Sequence, residues 1–163
     1  MIHVEIKERA EFQVIGRFYS TAQTTLNPME WWKSLIVSAK QKGYSYSQGS
    51  YSLQKYPLDY FQAFHPSNPF EYAPAIPVES GLPHPDGSSI LTVEGGLFAV
   101  FVHKGTAETF PQTMGAFFND WLPQSEYSLD QRTHFCFMPP GYQTNHPLAE
   151  EEIWIPVCMK GKN

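Results

Sequence analysis

The pattern of apolar and polar residues predicts that one order of elements occurs twice along the chain. Residues 11–20, EFQVIGRFYS, alternate apolar and polar side chains as a strand with one buried face does. Residues 27–43 carry apolar side chains at helical spacing, and 59–65 and 72–78 are strand-like again. The first half is therefore predicted to run strand, helix, strand, strand.

The second half repeats that order. Residues 95–105 predict a strand between glycines, and 110–125 predict a helix whose apolar positions carry Met, Phe and Trp. Residues 133–138 and 151–157 predict two further strands. The same four elements thus follow one another in both halves.

The two halves also end alike, which points to a duplication. Ile76-Pro77-Val78 closes the first half and Ile155-Pro156-Val157 the second. A Gly-, Pro- and Ser-rich segment between them is typical of a connector. The sequence therefore predicts one domain made of three parts: residues 1–163 overall, with a first module at about 1–79, a connector at about 80–90 and a second module at about 91–159.

Composition adds a reason to expect a ligand pocket. Aromatic residues make up 15% of the 163 residues and charged residues only 17%, so some apolar surface can line a pocket. The net charge of −5 gives no electrostatic reason to bind nucleic acid. It mildly favours cationic or neutral ligands.

The cysteines and the N-terminus predict a cytoplasmic protein. Two cysteines, Cys136 and Cys158, are too few for a disulfide scaffold. The N-terminal MIHVEIKERAEF has charges where a signal peptide needs an apolar run. No apolar run approaches the roughly 18–20 residues that cross a bilayer. We expect reduced thiols and no membrane segment.

At three places the sequence resembles the gyrase-inhibitor-like (GyrI-like) small-molecule-binding domain. These are the H-x-G turn at 103–105, WLPxSxY at 121–127 and E-x-x-x-P-V at 152–157. The same domain is the effector-binding part of some AraC-type and MerR-type multidrug-responsive regulators. The resemblance implies an α+β fold in which duplicated βαββ modules form one curved antiparallel sheet. It also implies helices on one face of the sheet and a ligand cleft on the other.

The last predicted strand supplies the main candidate for ligand binding. Successive side chains of a strand point to opposite faces, so Glu152 and Trp154 share one face and Ile153 and Ile155 the other. With the resemblance, this predicts that Glu152 and Trp154 face the cleft. Glu152 is also the candidate for acid–base catalysis. Glu151 is expected to reach solvent at the strand entrance.

The strand before it departs from the family pattern. Related stand-alone proteins often have His-Phe-Glu where this chain has His134-Phe135-Cys136. Alternation puts His134, Cys136 and Met138 on one face, which we expect to be the cleft side. Cys136 is either a cleft residue in place of an acid or a small buried apolar side chain. No His or Cys spacing predicts a metal site, and no motif predicts a cofactor.

Aromatic residues complete the candidate set. Trp31 and Trp32 point about 100° apart on their helix, so Trp32 fits the core and Trp31 the cleft edge or solvent. Tyr72 lies in a tyrosine-rich region that either caps an apolar ligand or forms the rim of the core. The predicted ligand-binding residues are Glu152, Trp154, Cys136, His134, Tyr72 and Trp31.

Three functions are consistent with this reading. The first is a stand-alone binding protein for aromatic, apolar or cationic small molecules, acting as an effector sensor or a sequestering module. The second, implied by the resemblance, is hydrolysis of cyclopropane-containing genotoxins. The third is a protein-interaction module acting on DNA gyrase. The expected partners are a small molecule and, in the first and third cases, a regulator or a topoisomerase.

Overall fold

The computed structural model describes residues 2–161 and has the predicted α+β fold, with a curled antiparallel sheet and two helical segments. Helix α1 spans Met29–Gln41. Segment α2 is α-helical over Phe110–Gly115, π-helical over Ala116–Trp121 and α-helical again over Leu122–Gln124. The strands are β1 (Glu5–Arg9), β2 (Phe12–Gly16), β3 (Tyr19–Ala22), β4 (Ser50–Lys55), β5 (Pro69–Pro77), β6 (Ser89–Val93), β7 (Gly96–Lys104), β8 (Tyr127–Leu129), β9 (His134–Met138) and β10 (Glu150–Met159).

The strand order reflects the repeated order of elements. It runs β1-β7-β10-β9-β4-β5-β2-β6, with β3 paired to β5 and β8 to β10. Strand β4, which follows α1, and strand β9, which follows α2 and the short strand β8, pair at the centre. Outward from them come β5 and β2 on one side, and β10 and β7 on the other. The two halves thus have the same arrangement on either side of the β4–β9 pair.

One strand from each half pairs with the other half. Strand β1 precedes β2 but pairs with β7, and β6 precedes β7 but pairs with β2. The two-residue links before β2 and before β7 pack against each other. A β-carbon on Gly95 would overlap the backbone of Arg9 and Glu11, so this crossing requires glycine. Through these two pairings, each half contributes an edge strand to the other half, and both halves share one core.

The sheet curls toward the face that carries no helix, here called the inner face. The rings of Phe12 on β2 and Phe135 on β9 lie 5.2 Å apart, although β5 and β4 separate these strands in the sheet. Three strand spacings in a flat sheet would place them about 14 Å apart. Only strong curvature toward this face brings the two rings together.

The inner face is a packed aromatic core. Phe135 is fully buried and touches the rings of Phe98 and Trp154 at centroid distances of 5.5 and 5.2 Å. The Arg9 guanidinium from β1 covers this cluster, with its carbon 3.9 Å from the Phe12 ring centroid. This contact is a cation–π interaction.

Both helical segments cover the opposite face, here called the helix face. Leu35 and Ala39 of α1 pack on Ile15 and Ile76 of the first half. In the second half, the π-helical turn of α2 places Phe117 over β7, 4.9 Å from the Phe101 ring. The helices therefore cover different halves of the sheet, and the central strands lie between them.

Two predicted segments differ from the structure. The stretch 59–65, predicted as a strand, forms turns, and the strand that pairs with β5 is instead β4. Tyr60 in those turns is buried in an aromatic cluster with Phe70. The apolar residues that suggested a strand therefore pack a loop against the sheet. The stretch 11–20 is split into β2 and β3 at Arg17 and Phe18.

Candidate functional site

A cavity of about 680 Å³ lies on the helix face over the centre of the sheet. Its walls come from α1, from the starts of β4 and β10, and from the loop 139–149 that joins β9 to β10. Ser52 and Met138 from the two central strands also line it. It thus forms at the junction of the two halves.

Aromatic side chains form much of the cavity wall. Trp32 donates its indole N–H to the Tyr72 hydroxyl at 3.0 Å, which fixes both rings against the sheet. Tyr46 and Tyr142 also line the cavity. Burial raises the pKa of Tyr142 to about 12, and the Glu151 carboxylate contributes to that rise. Tyr142 is therefore neutral at physiological pH and presents its ring and hydroxyl group to a ligand.

Glu151 is the one charged residue among the described residues that line the cavity. Burial raises the pKa of its carboxyl group, and the neighbouring His103 opposes that rise. Desolvation disfavours the charged form of an acid, so an ionised Glu151 lacks part of its hydration. Such a carboxylate gains from a cation that enters the cavity.

Polar groups lie on the central strands beneath the cavity. Gln54 donates to the Ser52 hydroxyl at 2.9 Å, and Ser52 is the cross-strand partner of Cys136. Burial and then the Glu151 charge raise the pKa of the Cys136 thiol, against smaller opposing hydrogen bonds from Ser52 and Gln54. The thiol is therefore protonated at neutral pH and lacks the thiolate that a nucleophile needs.

Four of the six predicted ligand-binding residues lie on the helix face. Tyr72 lines the cavity, Cys136 lies beside its floor, and Trp31 stacks on Tyr19 at 4.4 Å next to Tyr72. His134 is buried between Tyr56 and Phe61, away from the cavity lining. Burial, with Arg132 adding to it, lowers the pKa of His134 to about 3, so its ring stays neutral.

The other two predicted residues, Glu152 and Trp154, lie on the inner face. Trp154 is 7% exposed within the aromatic core and donates its indole N–H to Glu152 at 3.0 Å. The predicted alternation along β10 is present, but the cavity is on the face shared by Glu151, Ile153 and Ile155. The curl of the sheet explains this difference. It packs the inner face with aromatic side chains, whereas on the helix face the gap between the two helical segments stays open.

Sequence reasoning missed Glu151, Trp32 and His103 as site residues. Each had a simpler interpretation: Glu151 as part of a solvated strand entrance, Trp32 as a core residue and His103 as a turn residue. The signal that could have found Glu151 and His103 is the pairing of β10 with β7, which puts the two residues opposite each other. Cys136 pairs with Ile153 in the same way, so the cleft side of β9 had to be the helix side of β10.

The two cysteines should react at very different rates. Both are free; Cys136 is 5% exposed with a raised thiol pKa, and Cys158 is partly exposed beside Ser128. We expect a thiol reagent to modify Cys158 readily in the native protein and Cys136 only after unfolding. Mass spectrometry of the labelled protein would show one fast and one slow site. Equal rates, or a disulfide between the two, would contradict the structure.

Other candidate sites are less well formed. Among residues 2–161, no group of three or more His, Cys, Asp or Glu side chains is arranged to hold a metal ion. A second cavity of about 480 Å³ at one end of the inner face has Lys55 and Arg132 opposed by Glu71 and Glu94. This balance of charges selects no class of ligand. Within the described residues, no helix has the length and apolar character needed to span a bilayer.

Comparison with known proteins assigns this arrangement to a family. The sequence profile described as "GyrI-like small molecule binding domain" matches residues 3–157. The chain belongs to the GyrI-like family. The match covers both halves of the sheet, both helical segments and the cavity between them.

The GyrI-like chain is similar to parts of transcription regulators and to smaller proteins. It is 26% identical over 162 residues to the transcriptional regulator BrlR of Pseudomonas aeruginosa, covering 96% of this chain but only 56% of BrlR. The structure of SAV2435 bound to tetraphenylphosphonium covers 96% of this chain and 94% of its own, with 16% identity and a TM-score of 0.68. EcmrR in its complex with DNA covers 95% of this chain and 57% of its own, with 14% identity and a TM-score of 0.62. At these identities the two structures establish the fold alone.

Proposed function

We propose that the chain binds aromatic, lipophilic cations in the cavity on the helix face and acts as an effector-binding sensor. The observation that carries this proposal is a single desolvated carboxylate, Glu151, in a cavity walled by Trp32, Tyr72 and Tyr142. Aromatic faces attract cations electrostatically, and the carboxylate supplies the counter-charge. The family description supports a small-molecule ligand, and the tetraphenylphosphonium bound to SAV2435 is a lipophilic cation of the proposed class.

The electrostatics favour a cation over a neutral molecule of equal shape. Burial already makes the charged form of Glu151 costly, and a neutral ligand would remove more of its water without replacing it. A cation replaces that lost hydration with a direct interaction. Because Glu151 is the only charged residue of the described lining, one positive charge is neutralised. The preferred ligand is therefore a monovalent cation with an apolar, aromatic surface.

A sensor role, rather than sequestration, is supported by the regulators that this chain resembles. The similarity covers 56% of BrlR and 57% of the EcmrR chain, so it concerns one part of each. A sensor must change its structure or dynamics when the ligand binds, whereas a sequestering protein need only hold it. Hydrogen exchange that slows in α2 or β7, outside the cavity wall, on ligand addition would favour the sensor. Slowing confined to the wall would favour sequestration.

Tetraphenylphosphonium should bind one-to-one and quench tryptophan fluorescence. Trp32 lines the cavity, so its emission should report occupancy directly. Trp121 stacks on Phe117 in α2 and Trp154 lies on the inner face, so neither contacts the ligand. We expect saturable quenching that persists in Trp121→Phe and is largely lost in Trp32→Phe, with calorimetry confirming the stoichiometry. Absence of saturable binding by either method would overturn the proposed function.

One observation favours a second function, hydrolysis. A carboxyl group with a raised pKa inside an aromatic cavity can serve as a general acid or base, and Glu151 has these properties. Cys136 does not fit a nucleophile, because its thiol is buried and protonated. Incubation with a cyclopropane-containing electrophile, followed by mass spectrometry, distinguishes the two functions. Catalytic product formation that Glu151→Gln abolishes would support the hydrolase, and binding without turnover would support the sensor.

A further inference from the structure

His103 is buried directly beside the cavity carboxylate. It lies on β7 opposite Glu151 of β10 and is 2% exposed. Like Phe101 two residues before it, it points to the helix face. Side chains that face each other across an antiparallel pair have β-carbons about 5 Å apart. No ion pair within 4.0 Å joins the two groups in the described part of the chain, so they interact through space.

The hydrogen bonds of His103 accommodate two protonation states. Its Nε2 lies 2.9 Å from the Thr106 carbonyl oxygen, which can only accept, so Nε2 carries a proton. Its Nδ1 lies 2.7 Å from the Thr113 hydroxyl, which can either donate or accept. When the ring is neutral the hydroxyl donates to Nδ1, and when the ring is protonated Nδ1 donates to the hydroxyl. Gaining a proton therefore breaks neither of these hydrogen bonds.

Three other titratable groups interact with Glu151 and stay neutral in weak acid. Cys136 from β9, Tyr72 from β5 and Tyr142 from the 139–149 loop interact with it, and burial raises the pKa of each, so all three stay neutral. Thr113 and Phe110 of α2, which contact His103, do not titrate. Of the charged residues nearest along the chain, Lys104, Glu108 and Glu150 are exposed to solvent. Glu152 is half-buried and lies on the inner face, where it accepts a hydrogen bond from Trp154.

We propose that His103 sets the charge selectivity of the cavity. While its ring is neutral, the Glu151 carboxylate is free to hold a cation. Once protonated, the imidazolium neutralises the carboxylate, and the cavity favours neutral aromatic molecules. This inference rests on the proposed function, because it concerns the same cavity. His103 is a specificity-determining residue that acts through Glu151 and through the electrostatic potential of the site.

A direct test follows His103 in the unmodified protein. The imidazole Cε1–H signal would be titrated by NMR with and without saturating tetraphenylphosphonium. Because linkage is reciprocal, a cation that is repelled by protonated His103 must make protonation harder. We expect half-protonation of His103 in the bound protein to require a proton concentration at least about fivefold higher than in the free protein. An unchanged titration in the bound protein would overturn the proposal.

A variant series separates His103 from Glu151 itself. In a Glu151→Gln background the carboxylate is absent. The residual affinity for tetraphenylphosphonium should still fall about fivefold between about pH 8 and about pH 5.5. Adding His103→Gln should abolish that fall. Adding His146→Gln, which changes an exposed histidine outside the cavity lining, should leave it intact. A fall that survives His103→Gln, or that is absent from the Glu151→Gln protein, would overturn the proposal.

The same measurements distinguish failure of this inference from failure of the proposed function. If wild-type protein binds tetraphenylphosphonium at no pH in the range, the cavity does not take lipophilic cations, and both proposals fall. If binding is strong but His103 has no influence on its pH dependence, only the inference about His103 falls. A neutral aromatic probe, triphenylphosphine oxide, should show the opposite trend and bind more tightly in acid.

Discussion

Replacing Glu151 with glutamine should weaken tetraphenylphosphonium binding at least about tenfold, or about 1.4 kcal/mol. Glutamine keeps the size of the side chain and removes the only charge among the described residues of the cavity lining. The loss should be specific for cations, because the aromatic wall formed by Trp32, Tyr72 and Tyr142 is unchanged. Calorimetric titration of the cation and of triphenylphosphine oxide would measure both effects.

Glu152→Gln is the matched control, because it makes the same chemical change one residue away. Glu152 lies on the inner face and accepts a hydrogen bond from Trp154, so it is remote from the cavity. Its replacement should leave cation affinity within about twofold, far below the tenfold effect. If Glu152→Gln weakens binding and Glu151→Gln does not, the ligand binds on the inner face, as the sequence alone suggested.

Phe135→Ala should lower the free energy of unfolding by about 3–5 kcal/mol. Phe135 is fully buried at the centre of the inner face, in contact with the rings of Phe12, Phe98 and Trp154. The side chains around Phe135 are themselves buried, so the truncation leaves a cavity inside the core. Urea unfolding followed by circular dichroism would measure the change.

Val102→Ala offers a matched control on the same face. Val102 is 48% exposed, so its truncation should change stability by less than about 0.5 kcal/mol. A small effect of Phe135→Ala would mean that the inner face is a loosely packed cleft rather than a core. In that case, an apolar ligand should restore stability to the variant.

Much of the fold follows from the sequence because period and repetition are local signals. The alternation in 11–20, 95–105 and 151–157 gave the strands their two faces, and both helices fall where the apolar spacing predicted them. Strand β1, with the charged sequence EIKER, carries a weak apolar signal because it lies at the sheet edge. Its pairing with β7 is a long-range contact, which periodicity cannot report.

The candidate site was predicted less completely, and curvature is the reason. Alternation places Glu151 and Glu152 on opposite faces but cannot say which face has open space. That depends on the curl, which brings Phe12 to Phe135 and fills the inner face. The family resemblance pointed to this strand and to Glu152, whereas the cavity lining contains its neighbour Glu151. Choosing between neighbouring acids required the cross-strand pairs of β10 with β7 and β9.

The exchange of β1 and β6 between the halves has a consequence for how the protein could evolve. Each half of the repeat completes the sheet of the other, so neither half forms a finished hydrophobic core alone. The cavity lies across the β4–β9 junction, where both halves contribute side chains. A substitution that alters the fit of one half against the other therefore also reshapes the pocket. Ligand preference can in this way drift through changes far from any ligand contact, while the fold itself is preserved.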